Sequence, residues 1–519
     1  MITLWDENRY WSELLRQEGV SFRSGSRLSG RDVVILDRAP GELHTHRIWQ
    51  HIESGAGLLA AGVNAAAVWL ELRPHIKRLR WIAPEGESPL FRNVGIVDLE
   101  TRGSLLHEAN AGVTDSGTKA LLATPAGRGY CIVLPFEVTR VLSSVASGPR
   151  QFPADTPRFP YDTVARSSRG EVRRLVANCL RFLLARKDQP YVHLASVPGL
   201  TPSTFAFRVD ADFVPRRDIE AVAHLADRVG MKFSWYVNVG AHQAHLDLFA
   251  DLARQGHDIQ LHCQRHAVYS DYKRNLENFR QGRDALASAG VSPVGVVAPW
   301  GEWNQNLNRA FEELGFEYSS EFCLACDDLP FRPVVDGRLS RILQVPVHPI
   351  CLGRLAAARA NAAQMAAYFR SVIDLQVARR EPCFLYDHPE RIAQFSDVLA
   401  DVLQYGKERC GSVTTVTEFA RWWQHREQFT WAARMSDREL EIRAEPGGTG
   451  LQVIVEQDDR YAVLPASPGR YLLGALEWHA LPEPVRFDPR ALAARRPSLL
   501  LQARSLERKA QKTLREHRG

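Results

Sequence analysis

Two histidines separated by one turn's worth of chain stand out in Gly256-His257-Asp258-Ile259-Gln260-Leu261-His262-Cys263-Gln264-Arg265-His266. If the second half of this segment is helical, His262 and His266 lie on one face. Neutral imidazoles so placed suit a divalent transition metal. The pattern also describes two ordinary core or surface histidines, so a third donor is needed to favour the metal.

Phe205-Ala206-Phe207-Arg208-Val209-Asp210-Ala211-Asp212 offers one. The segment alternates as a strand, which puts Arg208, Asp210 and Asp212 on one face and Phe207 and Val209 on the other. Carboxylates on a buried strand are costly unless a cation or strong donors meet them. Acids facing water at a strand end, or capping a helix, would need no metal. Together with the histidine pair, a site of one Asp and two His is the better explanation.

These residues resemble the polysaccharide deacetylase (NodB-homology, carbohydrate esterase family 4) superfamily. Its first motif, a strand ending in two acids, is matched by Val209-Asp210-Ala211-Asp212, and its Gly-His-Glu-Ile-x-x-His-x-x-x-His by Gly256 to His266, with Asp258 for Glu. Its Arg-x-Pro-Tyr-Gly is matched by Val297-Ala298-Pro299-Trp300-Gly301 without the Arg, and its closing strand and x-His-Pro by Phe384-Leu385-Tyr386-Asp387-His388-Pro389. The resemblance implies a divalent cation, with zinc favoured, on Asp212, His262 and His266. It implies Asp210 as proton acceptor, the main-chain N–H near Trp300 as part of an oxyanion site, and His388 as acid for a leaving amine. The family Arg pairs with the base Asp, and Val297 cannot. Strand periodicity makes Arg208 the candidate substitute.

What the resemblance implies is metal-dependent hydrolysis of an N-acetyl (amide) group on a carbohydrate or glycan precursor, in cell-surface polysaccharide biosynthesis. The alternatives are a catalytically degenerate deacetylase-like binding or scaffold protein, and a metal hydrolase of another amide or formamide.

The elements that must position these groups read as an α/β multidomain chain. Residues 1–30 form an entry helix and polar loop, and 31–165 a flavodoxin-like α/β domain. In the latter, Val33–Asp37 and Gly57–Ala61 read as buried strands, His46–Ser54 as a helix, and Leu121–Pro135 as a hairpin about Pro125–Arg128. Gly55-Ala56-Gly57-Leu58-Leu59-Ala60-Ala61-Gly62 and that hairpin resemble a glutamine-amidotransferase-like domain. No nucleophilic Cys stands near Gly62, so this domain is expected to be non-catalytic. Gly55-x-Gly57-x-x-Ala60 precedes a strand rather than following one, which excludes a dinucleotide fingerprint.

Residues 166–194 contain a linking helix, Gly170–Arg186, and 195–425 are expected to form the distorted, incomplete (β/α) barrel of the family, with its site at the C-terminal ends of the strands. Alternation over 428–482 reads as a small antiparallel β-module, and 485–519 as a basic helix able to touch an anionic membrane surface.

The chain's 519 residues exceed one ordinary core, and its formal charge of +5 gives no reason to expect nucleic-acid binding. No transmembrane span is expected. Met1–Arg9 carries early acids and no apolar core of a secretory signal. The 8 scattered cysteines read as reduced core residues, so a cytoplasmic protein is expected. Cys323-Leu324-Ala325-Cys326 has no second pair and is a weak zinc or redox signal. Oligomeric state is not encoded in any pattern found.

Overall fold

A computed structural model describes residues 1–495, apart from 31, 66–69 and 71–73, together with Ala503. The chain divides into two compact units, one of Met1–Ser144, Ser167–Leu200 and Trp423–Phe487, the other of Val145–Arg166, Thr201–Trp422 and Asp488–Gly519.

The first unit is built on a nine-stranded mixed sheet. Phe22–Ser24, Ile2–Leu4, Val33–Leu36, Gly57–Ala61 and Gly129–Leu134 run parallel in that spatial order. Lys119–Ala126, Ala111–Thr114, His75–Ala83 and Val97–Leu105 then extend the sheet antiparallel. This departs from the expected flavodoxin-like layer. Short turns join Ala111–Thr114 to Lys119–Ala126 and that strand to Gly129–Leu134, and a short turn between paired strands reverses direction. At the hairpin, Gly127 has φ +57, and a side chain there would meet the Glu53 backbone at 2.9 Å.

Residues 1–30 are not a separate entry segment, since they supply two strands of this sheet. The expected linking helix is likewise a core element: Arg169–Ala185 buries Val172, Leu175, Val176, Leu180 and Leu183 in the unit's apolar cluster. The strands read at 428–482 are antiparallel, but they do not stand alone. Gln452–Gln457 pairs with Tyr191–Leu194. Residues 145–165, read with the N-terminal domain, and Arg166, read with the linking helix, belong to the second unit. The expected basic C-terminal helix falls almost entirely outside the described residues.

The second unit holds the motifs. Its main sheet has seven strands, all parallel: β1 (Phe205–Ala211), β2 (Ser234–Asn238), β3 (Asp258–Cys263), β4 (Gly295–Val296), β5 (Tyr318–Ser319), β6 (Leu343–Gln344) and β7 (Cys383–Asp387). Their spatial order is β6-β5-β4-β3-β2-β1-β7. Helices cover the outer face. Arg216–Val229 turns Ile219, Val222, Leu225, Ala226 and Val229 into the core at helical spacing and ends at left-handed Gly230.

β1 alternates as its sequence dictates. Phe205, Phe207, Val209 and Ala211 join the apolar cluster. Arg208 and Asp210, on the opposite face, are buried as well. The sheet must curl strongly. Arg208 Nη1 donates to the Ser320 carbonyl at 2.9 Å, and Ser320 directly follows β5. In a flat sheet these strands, four spacings apart, would be about 19 Å from each other. Tyr236 on β2 and Tyr318 on β5 also meet, hydroxyl to hydroxyl, at 2.9 Å. The sheet is a partial barrel: among the described residues no pairing joins β6 to β7.

Candidate metal centre

The expected residues gather where the strands of the partial barrel end. Asp212 sits one residue past β1, and its Oδ1 lies 2.9 Å from His262 Nε2 and 3.2 Å from His266 Nε2. His262 is on β3, one residue before its end. His266 lies in a bend beyond it and not on a helix. The pair therefore meets through strand end and loop, with ring centroids 5.1 Å apart. The helical placement is corrected, and the convergence it was meant to explain is present by another route.

The donor atoms suit a cation better than they suit one another. His262 Nδ1–H donates to the Val297 carbonyl at 2.8 Å. That bond fixes the tautomer and turns the Nε2 lone pair toward Asp212. Asp212 Oδ1 and His266 Nε2 are buried yet have no hydrogen bond of acceptable geometry. Buried polar atoms are rarely left so. A carboxylate and two imidazoles around one point match the ligand set of a catalytic site with open positions. Burial works against the Asp212 charge, but His262 and His266 outweigh it and hold the carboxyl well below its ordinary range. Burial likewise opposes a charge on His262, and Asp212 more than offsets it, raising that pKa.

Asp210 is held apart from this cluster. Arg208 Nε and Nη2 each donate to one of its oxygens at 2.6 Å. Arg208 is also flanked by the rings of Tyr236 and Tyr386, each 5.2 Å from the guanidinium. Burial opposes its charge, and Asp210 outweighs burial, so its pKa is raised. The contact expected from strand periodicity between Arg208 and Asp210 is therefore present.

On the other side of Asp212, His388 Nε2 lies 3.7 Å from Oδ2. Burial would lower the His388 pKa, but the Cys351 sulfur and the carboxylates of Asp212 and Asp210 push it up to about 10. The neighbouring Asp387 bonds main chain rather than that ring. Its Oδ1 accepts the His388 main-chain N–H at 2.9 Å and its Oδ2 the Leu352 N–H at 2.6 Å. The carboxylate thus bonds main chain, with a ring nitrogen of His388 nearby but not hydrogen-bonded to it. Burial pushes the Asp387 carboxyl up to about 7.

Trp300 closes the cluster. Its ring stands edge-on to His266 with centroids 4.7 Å apart, and its backbone is left-handed at φ 57. A non-glycine residue held there costs about 1–2 kcal/mol.

Three groups escaped the sequence reading. Ser320 takes an Arg208 hydrogen bond. Glu321 accepts the Ala298 N–H at 3.1 Å, and burial pushes its carboxyl up to about 7. Both directly follow β5, so the rule that barrel chemistry lies at strand C-termini could have found them. Cys351 reaches His388 from a segment without regular structure, and no pattern signals it. Cys323, half of the Cys-x-x-Cys, is buried with its S–H donated to the Thr163 carbonyl at 3.2 Å. None of the described cysteines is in a disulfide.

The polysaccharide deacetylase family model matches residues 210–319 of this chain. Solved structures similar to it include a probable polysaccharide deacetylase from Pseudomonas aeruginosa PAO1, at 18% identity and TM-score 0.38, over 44% of this chain and 92% of that one. Puue allantoinase gives 18% and 0.38 over 44% and 92%. The chitin deacetylase of the fungal pathogen Colletotrichum lindemuthianum gives 13% and 0.32 over 44% and 89%. No curated protein matches the chain. The matched residues carry the first three motifs, and nothing supports the glutamine-amidotransferase-like assignment of the N-terminal region. No helix among the described residues is long and apolar enough to cross a membrane.

Proposed function

We propose that the chain is a metal-dependent hydrolase that removes an N-acetyl group from a carbohydrate or glycan precursor, serving cell-surface polysaccharide assembly in the cytoplasm. The observation that carries this reading is the meeting of His262 and His266 on one oxygen of Asp212, beside a second carboxylate held separately by Arg208. Asp212, His262 and His266 would hold the cation, and zinc suits two imidazoles and a carboxylate. When bound, such an ion supplies Lewis acidity, drawing the pKa of water toward neutrality and polarising an amide carbonyl.

The remaining work falls to the chain's own groups. Asp210 takes the proton that the attacking water loses, and Arg208 fixes the direction of its oxygens. The main-chain N–H at Trp300 is assigned to the carbonyl oxygen as charge builds on it. His388 approaches from the far side of Asp212 and gives its proton to the nitrogen as the C–N bond breaks.

The test is metal content of the purified protein, followed by acetate release from N-acetylated sugars. Release should cease on chelation and return when metal is restored. A fully loaded protein that frees no acetate from any N-acetylated glycan would overturn the proposal.

A further inference from the structure

We propose that Cys351, Asp387 and His388 form a second cation site, selective for soft divalent ions, on the side of Asp212 away from His262 and His266. One ligand atom of each, a sulfur, a carboxylate oxygen and an imidazole nitrogen, lies within 4.8 Å of the other two. Donors around a tetrahedral zinc-type ion sit about 3.5 Å apart, given bond lengths of 2.0–2.3 Å. Side-chain rotation of about an ångström therefore closes the set on an ion.

The supports are rigid. Asp387 accepts the main-chain N–H groups of His388 and Leu352. One carboxylate thereby ties the end of β7 to the residue after Cys351. Each of its oxygens retains a second lone pair. Cys351 and Asp387 are buried, while the His388 side chain is 25% exposed, so an ion enters along the imidazole edge. Cys351 belongs to no disulfide.

The donor set sets the preference. Asp212, His262 and His266 offer one oxygen and two nitrogens, whereas this second set contains a thiol, which favours cadmium or zinc over magnesium or manganese. On binding, the Cys351 S–H and the protonated His388 ring each give one proton to solvent as the sulfur–cation and nitrogen–cation bonds form. The site stands on geometry alone. Its consequence rests on the hydrolase reading: an ion on the His388 ring takes a lone pair that would otherwise carry the proton for the leaving nitrogen, so an excess of soft cation inhibits.

The experiment is a cadmium titration of the full-length protein already loaded with one equivalent of zinc. Equilibrium dialysis counts both metals, and the ultraviolet thiolate-to-cadmium charge-transfer band reports the sulfur. The wild-type protein should take up one cadmium with that band while keeping its zinc. Cys351→Ser and Cys351→Ala should lose the band and weaken the added cadmium by about tenfold or more. Cys326→Ser, at a half-buried thiol elsewhere in the same unit, should keep it. A band that survives loss of Cys351, or one that vanishes with Cys326, overturns the site. Cadmium bound as described to a protein that frees no acetate leaves the site standing and removes the hydrolase reading. Acetate release unaffected at full cadmium occupancy overturns the inhibition.

Discussion

Arg208 grips Asp210 from two positions earlier on the same strand, with two N–H···O contacts of 2.6 Å. Both side chains are almost fully buried. A charge left alone in such a place costs about 3–5 kcal/mol, so the pair must be broken with care.

Arg208→Lys keeps the charge and gives up the two-pronged geometry. Acetate release should fall by about 10²-fold or more, the scale of a misdirected general base. Metal content by elemental analysis should stay near one equivalent. Arg208→Met should lose activity further and melt at a lower temperature. Undiminished turnover in Arg208→Lys would remove the anchor from the mechanism.

Asp212→Asn removes the charge on which both imidazoles converge. The variant should retain its fold by circular dichroism and bind zinc about 10²-fold more weakly in a chelator competition. The neutral amide cannot offset the ion's charge. Wild-type affinity in this variant would place the cation elsewhere.

Glu312 gives the pH dependence a defined origin away from the metal. Burial would raise its pKa, but Arg338, Ser340 and the Arg341 N–H overcome it and hold the carboxyl at about 2. A depressed carboxyl contributes stability above its unfolded pKa, near 4.5, and loses it as pH falls toward 2. Arg338 is half exposed, so solvent screens it, and about 2 kcal/mol is a fair expectation. Thermal melts between pH 7 and pH 3 should show a shallower acid limb in Glu312→Gln than in the wild type. Parallel limbs would refute the linkage.

Arg426 is buried in the first unit and donates to the carbonyls of Ala195 at 2.7 Å, Gln17 at 3.1 Å, and Arg16 and Leu194 at 3.2 Å. Each carbonyl left unsatisfied costs about 1–3 kcal/mol. Arg426→Met should therefore unfold this unit at markedly lower urea concentration, seen by tryptophan fluorescence. Zinc affinity should be unchanged, since the metal donors lie in the other unit. A wild-type urea midpoint would show that water replaces the guanidinium without cost.

The site was legible where chemistry is written into strand periodicity. The alternation through β1 placed Arg208 with Asp210 and pointed both away from the apolar cluster, as found. The histidine spacing singled out two residues that do converge on Asp212, but not through a helical turn, because a four-residue interval does not distinguish such a turn from a strand end and its loop. Contacts that depend on curl were invisible: nothing local links Arg208 to Ser320, or His388 to Cys351. The first unit was misread through its connections. Strand-like runs were visible, but direction is set by turn length, and the sheet's antiparallel half follows from turns that composition alone does not mark.

The Val297 position now looks different. Its main-chain carbonyl aligns His262, a task indifferent to the side chain, while the Asp210 carboxylate is held by a neighbour on its own strand. Because anchor and base share one stretch of backbone, a shift of the surrounding loops carries neither away from the other. The segment from Val297 to Gly301 meets the site through its backbone, at the Val297 carbonyl and the Ala298 N–H, so its side chains are what can change there.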